Sequence, residues 1–255
     1  MSSQPQRHPL TDLHAEHTPD AVARRIAADP TQSYLRDFVY GSIDGCVTTF
    51  AVVSGVVGAE LSSGIIIVLG SANLLADGFS MAVSNFLGTK AERQVLDHAR
   101  QIEENHVEVI PHGEEEEIRQ IFRQKGFDGE LLDRVVEVIT ADRKLWVETM
   151  LTEELGLSLT GSSPWKAGLV TFLAFVLMGL IPLLPFLLLY GFQDEGRTAF
   201  YLSSVLTAMT FFGIGALKSR YVAESWIRAG TETLVMGGGA AVLAFLVGTL
   251  LKGVV

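Results

Sequence analysis

Five stretches of about 20 apolar residues, each almost free of charge, constrain this chain more than any other feature. They lie at roughly 38–60, 64–88, 166–190, 198–217 and 230–252. A bilayer core about 30 Å thick needs about 20 helical residues to cross it, so each stretch is long enough to span. A soluble fold would have to bury five such segments in one core. The expected fold class is therefore an all-α membrane protein with five transmembrane helices. Mean hydropathy is positive and 48% of the 255 residues are apolar, an average that a soluble domain could also reach. The blocky distribution carries the argument.

Charge is equally uneven. Lys90–Ser163 holds 17 acidic and 9 basic residues, a net −8 out of −10 for the chain. A surface of this sign repels nucleic acid and attracts cations. The organisation that follows is a polar tail over 1–33, transmembrane helices 1 and 2 over 34–89, an acidic helical domain over 90–163, and transmembrane helices 3–5 over 164–255. The tail, with His8, His14 and His17 among prolines, is expected to be disordered and solvated. No charged, apolar and small-residue cleavage pattern precedes the first span, so no signal peptide is expected. The single cysteine, Cys46, excludes an intramolecular disulfide framework.

Lys and Arg mark the cytoplasmic ends of spans. Arg36 precedes span one, Lys90 and Arg93 follow span two, and Lys218, Arg220 and Arg228 lie between spans four and five. This places the N-terminus and the acidic domain in the cytoplasm and the C-terminus outside.

Two spans carry carboxylates. In span two, Asn73, Asp77, Met81 and Asn85 are spaced by four and form one helical stripe, with Ser80 and Ser84 beside it. Ionisable residues inside a membrane are costly, by roughly 2.5–3.5 kcal/mol on insertion scales, and mark pathways. Helix–helix glue through Asn and Ser is the plainer reading. It accounts for Asn73 and Ser80 but poorly for an aspartate in line with a methionine. Span one repeats the oddity with Asp44 and Thr48, and its Gly41 and Gly45 permit close approach of a second helix. Packing of spans one and two would set Asp44 against the Asp77–Met81 stripe. Carboxylates with a thioether suit Fe²⁺, Mn²⁺, Co²⁺ or Zn²⁺ better than Mg²⁺ or Ca²⁺.

The acidic domain reads as helices over Ala91–Val109 and three later segments. Acidic residues recur at helical spacing: Glu104 with Glu108, Glu114 with Glu117, and Glu153 and Glu154 with Met150. Four consecutive glutamates can be a solvated helix start favoured by the dipole. Three such clusters can also be a metal site. Glu103 and His106 form an E-x-x-H, but a di-iron bundle needs two. Without a second copy, a nucleophile–base pair or a phosphate-binding loop, neither an enzyme nor an ATP-driven pump is expected.

The stretches "YGSIDGCVTTFAVVSGVVGA", "ANLLADGFSMAVSNFLGTKAE" and "EELGL", with the acidic insert between spans two and three, resemble the vacuolar iron transporter family over about 34–255. The resemblance implies a five-span homodimer with its ion path at the dimer axis and a cytoplasmic metal-binding domain. It implies export of Fe²⁺, and often Mn²⁺, from the cytosol in exchange for protons. The metal is then substrate, the protons are counter-ions, and no tightly bound cofactor is expected. By position, the membrane ion site resembles Asp44 and Met81, and the cytoplasmic site Glu103, Glu114, Glu117, Met150 and Glu154. Plant-type members have glutamate where this chain has Asn73, so Asp77 is expected to supply that charge. The family often has a carboxylate near His106 and a second methionine near Leu151. A bacterial host implies the plasma membrane, a eukaryotic one the vacuole. The rival expectation is a membrane-anchored protein that buffers or senses metal without transporting it.

Overall fold

The computed structural model describes residues 15–27, 33–191, 195–219 and 224–253. Among them there are helices and no strands, and five helices are long and apolar enough to cross a membrane. The chain is an all-α membrane protein. It divides into two compact units, Leu87–Pro164 and the remainder.

The polar tail contains a helix, α1 (Pro19–Ala27), where disorder was expected. Its sequence suits one: Pro19 sits at the first helical position, Thr18 Oγ1 accepts from Ala21 N at 3.4 Å, and alanines fill the interior. The histidines at 8 and 14 lie outside the described residues.

The spans are α2 (Leu35–Gly58), the apolar part of α3 (Ser63–Val109), α7 (Pro164–Leu189), α8 (Glu195–Lys218) and α9 (Trp226–Leu251). A 24-residue helix such as α2 is about 36 Å long, enough for the hydrocarbon core. Helix α2 is the most enclosed. Of its apolar window 56% is buried, against 11–39% for the other four, so it occupies the middle of the bundle. It packs on α8 and α9. It also packs on α7, where a Cβ on Gly41 or Gly45 would overlap the backbone carbonyls of Thr171 and Phe175. The small-residue face of span one, which the sequence left without a named partner, therefore meets span three. The core between these helices is Phe50, Val53, Leu74, Phe175, Leu183 and Phe186, with Met81 against it.

Helix α3 runs unbroken from Ser63 to Val109, so span two and the first acidic helix are one element. Gly88 does not interrupt it, since one interior glycine costs only about 1 kcal/mol. The boundary between the two units falls inside this helix, between Phe86 and Leu87.

The acidic unit adds α4 (Pro111–Gln124), α5 (Gly129–Thr140) and α6 (Arg143–Thr149), followed by a π-helical turn at Met150–Glu154. Amphipathic spacing gives the unit a small core of Ile118, Leu132, Val136, Ile139, Trp146 and Met150. Asp142 caps α6 as its position suggested, accepting from Lys144 N at 2.9 Å and Leu145 N at 3.2 Å.

Candidate functional site

In the acidic unit, three ligand-bearing side chains converge. One atom from each of Glu103, His106 and Glu114 lies within 4.8 Å of the others. The local chain explains why. Glu103 and His106 are three apart on one face of α3. The chain reverses at Ile110–Pro111, where proline disfavours helix in the residue before it. Glu114 then falls in the first turn of α4, where the helix dipole favours a carboxylate. His106 Nδ1 lies 3.3 Å from Glu114 Oε1.

Glu114 is 1% exposed and Glu103 is 5% exposed. In each, Oε2 is buried and accepts no hydrogen bond. Buried carboxylate oxygens without a donor are costly, and a proton shared between the Glu103 and Glu114 carboxyls, or a cation, would relieve that cost. Burial pushes the Glu114 carboxyl up to about 7, and the negative charges of Glu117 and Glu103 add to the shift. Glu103 and Glu154 are raised as well, first by desolvation and then by neighbouring carboxylates. The charge of Glu117, an exposed residue, reaches all three and raises them, while His106 reaches all three and opposes the shift.

The remaining residues expected for this site divide. Glu154 joins the electrostatic cluster from the π-helical turn, which packs on α4. Met150, at the head of that turn, is fully buried in the unit's core. Its carbonyl accepts from Leu155 N at 3.2 Å in place of the α-helical bond. Such single π turns occur frequently at functional sites. Glu104 points away from the cluster: it is exposed, and Arg143 Nη2 donates to its backbone carbonyl at 3.1 Å. Glu153 pairs with Lys125 Nζ at 2.5 Å.

In the membrane unit, Asp44 on α2 and Asp77 on α3 are near enough for their charges to interact. Both are half-buried, as are Asn73 and Met81. Among the described residues neither aspartate has an ion-pair partner. Among the described residues Asn73 Nδ2 is buried without a partner, and so are the hydroxyls of Ser42 and Thr49 on α2. Asn85, at the end of the stripe, is committed elsewhere. Its Nδ2 donates to Asp37 Oδ1 at 2.9 Å and to Thr171 Oγ1 at 2.7 Å, and Thr171 Oγ1 donates to Ala167 O. This clasp joins α2, α3 and α7. Asp37, 8% exposed, went unremarked in the sequence. Its signal was there: Asp37, Gly41 and Gly45 share the face of α2 that meets α7.

Five helices long and apolar enough to span, with carboxylates on two of them, and a separate acidic unit in which metal-ligand side chains converge define a multi-pass membrane protein. A family model described as the VIT family matches residues 35–249, and the chain belongs to that family. It is 34% identical over 250 residues to a vacuolar iron transporter of Toxoplasma gondii, covering 96% of this chain and 82% of the relative. It is 32% identical to a vacuolar iron transporter of Plasmodium berghei, covering 94% and 90%, and 28% identical to vacuolar iron transporter 1 of Arabidopsis thaliana, covering 96% and 93%.

Proposed function

We propose that this protein carries a divalent transition metal, Fe²⁺ and also Mn²⁺, out of the cytosol in exchange for protons. The observation that carries the reading is the pair of half-buried carboxylates, Asp44 and Asp77, one on each of two spans and neither with an ion-pair partner among the described residues. Two such carboxylates can take up a metal ion or release it for protons, which is what antiport requires. Met81 adds a soft sulfur on the same stripe as Asp77, and Asn73 an amide oxygen. The names of the relatives support iron as cargo.

The acidic unit gathers ions on the cytoplasmic side, using Glu103, His106, Glu114, Glu117 and Glu154, with Met150 beneath them. The path lies between two copies of the chain. Support for a second copy comes from the spanning part of α3, where the hydroxyls of Ser80 and Ser84 are exposed on a face that lipid alone would leave without polar partners. A two-fold axis along that face would pair each half-seam with itself.

The deciding experiment is Fe²⁺ flux into proteoliposomes with and without a pH gradient, comparing the natural sequence with Asp44→Asn at matched protein levels. Gradient-dependent flux that Asp44→Asn abolishes, with the variant still folded, supports the reading. Metal binding without flux would favour the buffering or sensing role instead.

A further inference from the structure

We propose that His106 sets the metal preference of the acidic unit, binding the ion through an imidazole nitrogen and favouring Fe²⁺, Co²⁺ and Zn²⁺ over Mn²⁺. This rests on the reading that the acidic unit binds the transported ion. The argument starts from the donor set. Glu103, Glu114, Glu117 and Glu154 offer only carboxylate oxygens, and oxygen-only sites suit Mg²⁺, Ca²⁺ and Mn²⁺. His106 is the one nitrogen donor in the convergent group. Imidazole suits Zn²⁺ and Fe²⁺, and affinity for a given nitrogen-containing site rises from Mn²⁺ through Fe²⁺ to Co²⁺.

Two further observations separate this from a surface histidine that happens to lie near acids. The Oε2 atoms of Glu103 and Glu114 are buried in the same cluster and have no hydrogen-bond partner among the described residues, so both are free to bind a cation. The His106 ring, by contrast, is 43% exposed. Core packing does not hold it there, yet Nδ1 faces Glu114 at 3.3 Å. A ring at the edge of a buried carboxylate pair is placed to close over an ion as its last protein ligand. Its exposure also means that it can be replaced without disturbing the core.

The test uses the full-length protein in detergent and the metals themselves as probes. Zn²⁺, Co²⁺ and Mn²⁺ are titrated into the natural sequence, His106→Gln and His106→Glu. Gln keeps a neutral polar side chain without the imidazole, and Glu completes an all-carboxylate set. The Zn²⁺-to-Mn²⁺ affinity ratio is expected to fall at least about tenfold in both, the lower end of what even outer-shell changes cost a metal site. In Mn²⁺-loaded protein at one equivalent, pulsed electron paramagnetic resonance should detect a coupled nitrogen that His106→Gln lacks. If the natural protein binds metal but the ratio and the nitrogen signal survive both substitutions, His106 is not a ligand and only this inference fails. If the natural protein binds none of the three metals, the acidic unit is not an ion site and both readings fall.

Discussion

At the scale of single residues, the acidic unit stores electrostatic strain that a cation or a proton can relieve. Glu114 has its carboxyl at about 7, well above the ordinary 4.5, because it is buried and faces Glu117 and Glu103. Between those two values the folded protein binds more protons than the unfolded chain. Stability of the ion-free protein is therefore highest below about 4.5 from this group and is lost as pH rises towards 7. Glu103 and Glu154, raised in the same direction, add to the trend. The expected result is unusual for a carboxylate-rich protein: chelator-treated material melts at a higher temperature at pH 5.5 than at pH 7.5, and Glu114→Gln flattens the difference. A melting temperature that drops on acidification by the same amount in both proteins would contradict this. In the membrane unit, Met81→Leu isolates sulfur chemistry from packing, since such a swap usually costs less than about 1.5 kcal/mol. Folding should persist while Fe²⁺ and Co²⁺ flux falls. Unchanged relative rates for Fe²⁺, Co²⁺ and Zn²⁺ would leave Met81 as the packing residue that its contacts with the apolar core also allow.

At the scale of helices, what was legible in the sequence was whatever local pattern alone decides. Five apolar runs gave five spans, and Asp142 and Gly156 marked the bounds of the segment between them, where Gly156 takes the left-handed φ of 64°. What was not legible depends on partners distant in sequence. "MLTEE" has nothing that disfavours an ordinary α-helix, yet Met150–Glu154 is π-helical, packed against α4. Gly41 and Gly45 announced a close helix contact but not which helix would make it. Glu103 and Glu104 are equivalent by composition, and only the turn into α4 selects the first. Asn85 looked like part of an ion-lining stripe, while its amide is held by Asp37 and Thr171. The clasp gives an element-level prediction. Asn85→Ala strips a buried carboxylate of its donor, which should cost about 1–3 kcal/mol. Adding Asp37→Asn removes the orphaned charge and should recover part of that loss. Thermal unfolding of the two variants in detergent reads both effects. Equal melting of Asn85→Ala and the natural protein would mean that the clasp contributes nothing to helix assembly.

At the scale of the whole molecule, each unit has its own core and its own set of ligand side chains. The membrane unit is organised around α2, with Phe50, Phe175 and Phe186 in its core, and the acidic unit around Ile118, Val136 and Trp146. Separate cores allow the acidic site to be altered without disturbing the packing around Asp44 and Asp77. On the proposed division of labour, the acidic unit raises the local supply of ions and the membrane carboxylates carry them. Replacing Glu114 and Glu117 together by Gln keeps side-chain volume and removes two negative charges, one of them buried. The variant should insert and fold as well as the natural protein, because the buried carboxylate it lacks was a cost to stability in the ion-free state. Maximal Fe²⁺ flux in proteoliposomes should stay within about threefold, while half-saturation should move to at least about tenfold higher Fe²⁺, the scale on which loss of supporting ligands weakens metal sites. A fall in maximal flux with unchanged half-saturation would reverse the assignment. The acidic unit would then take part in translocation itself, and Asp44, Asp77 and Met81 could not be the whole of the path.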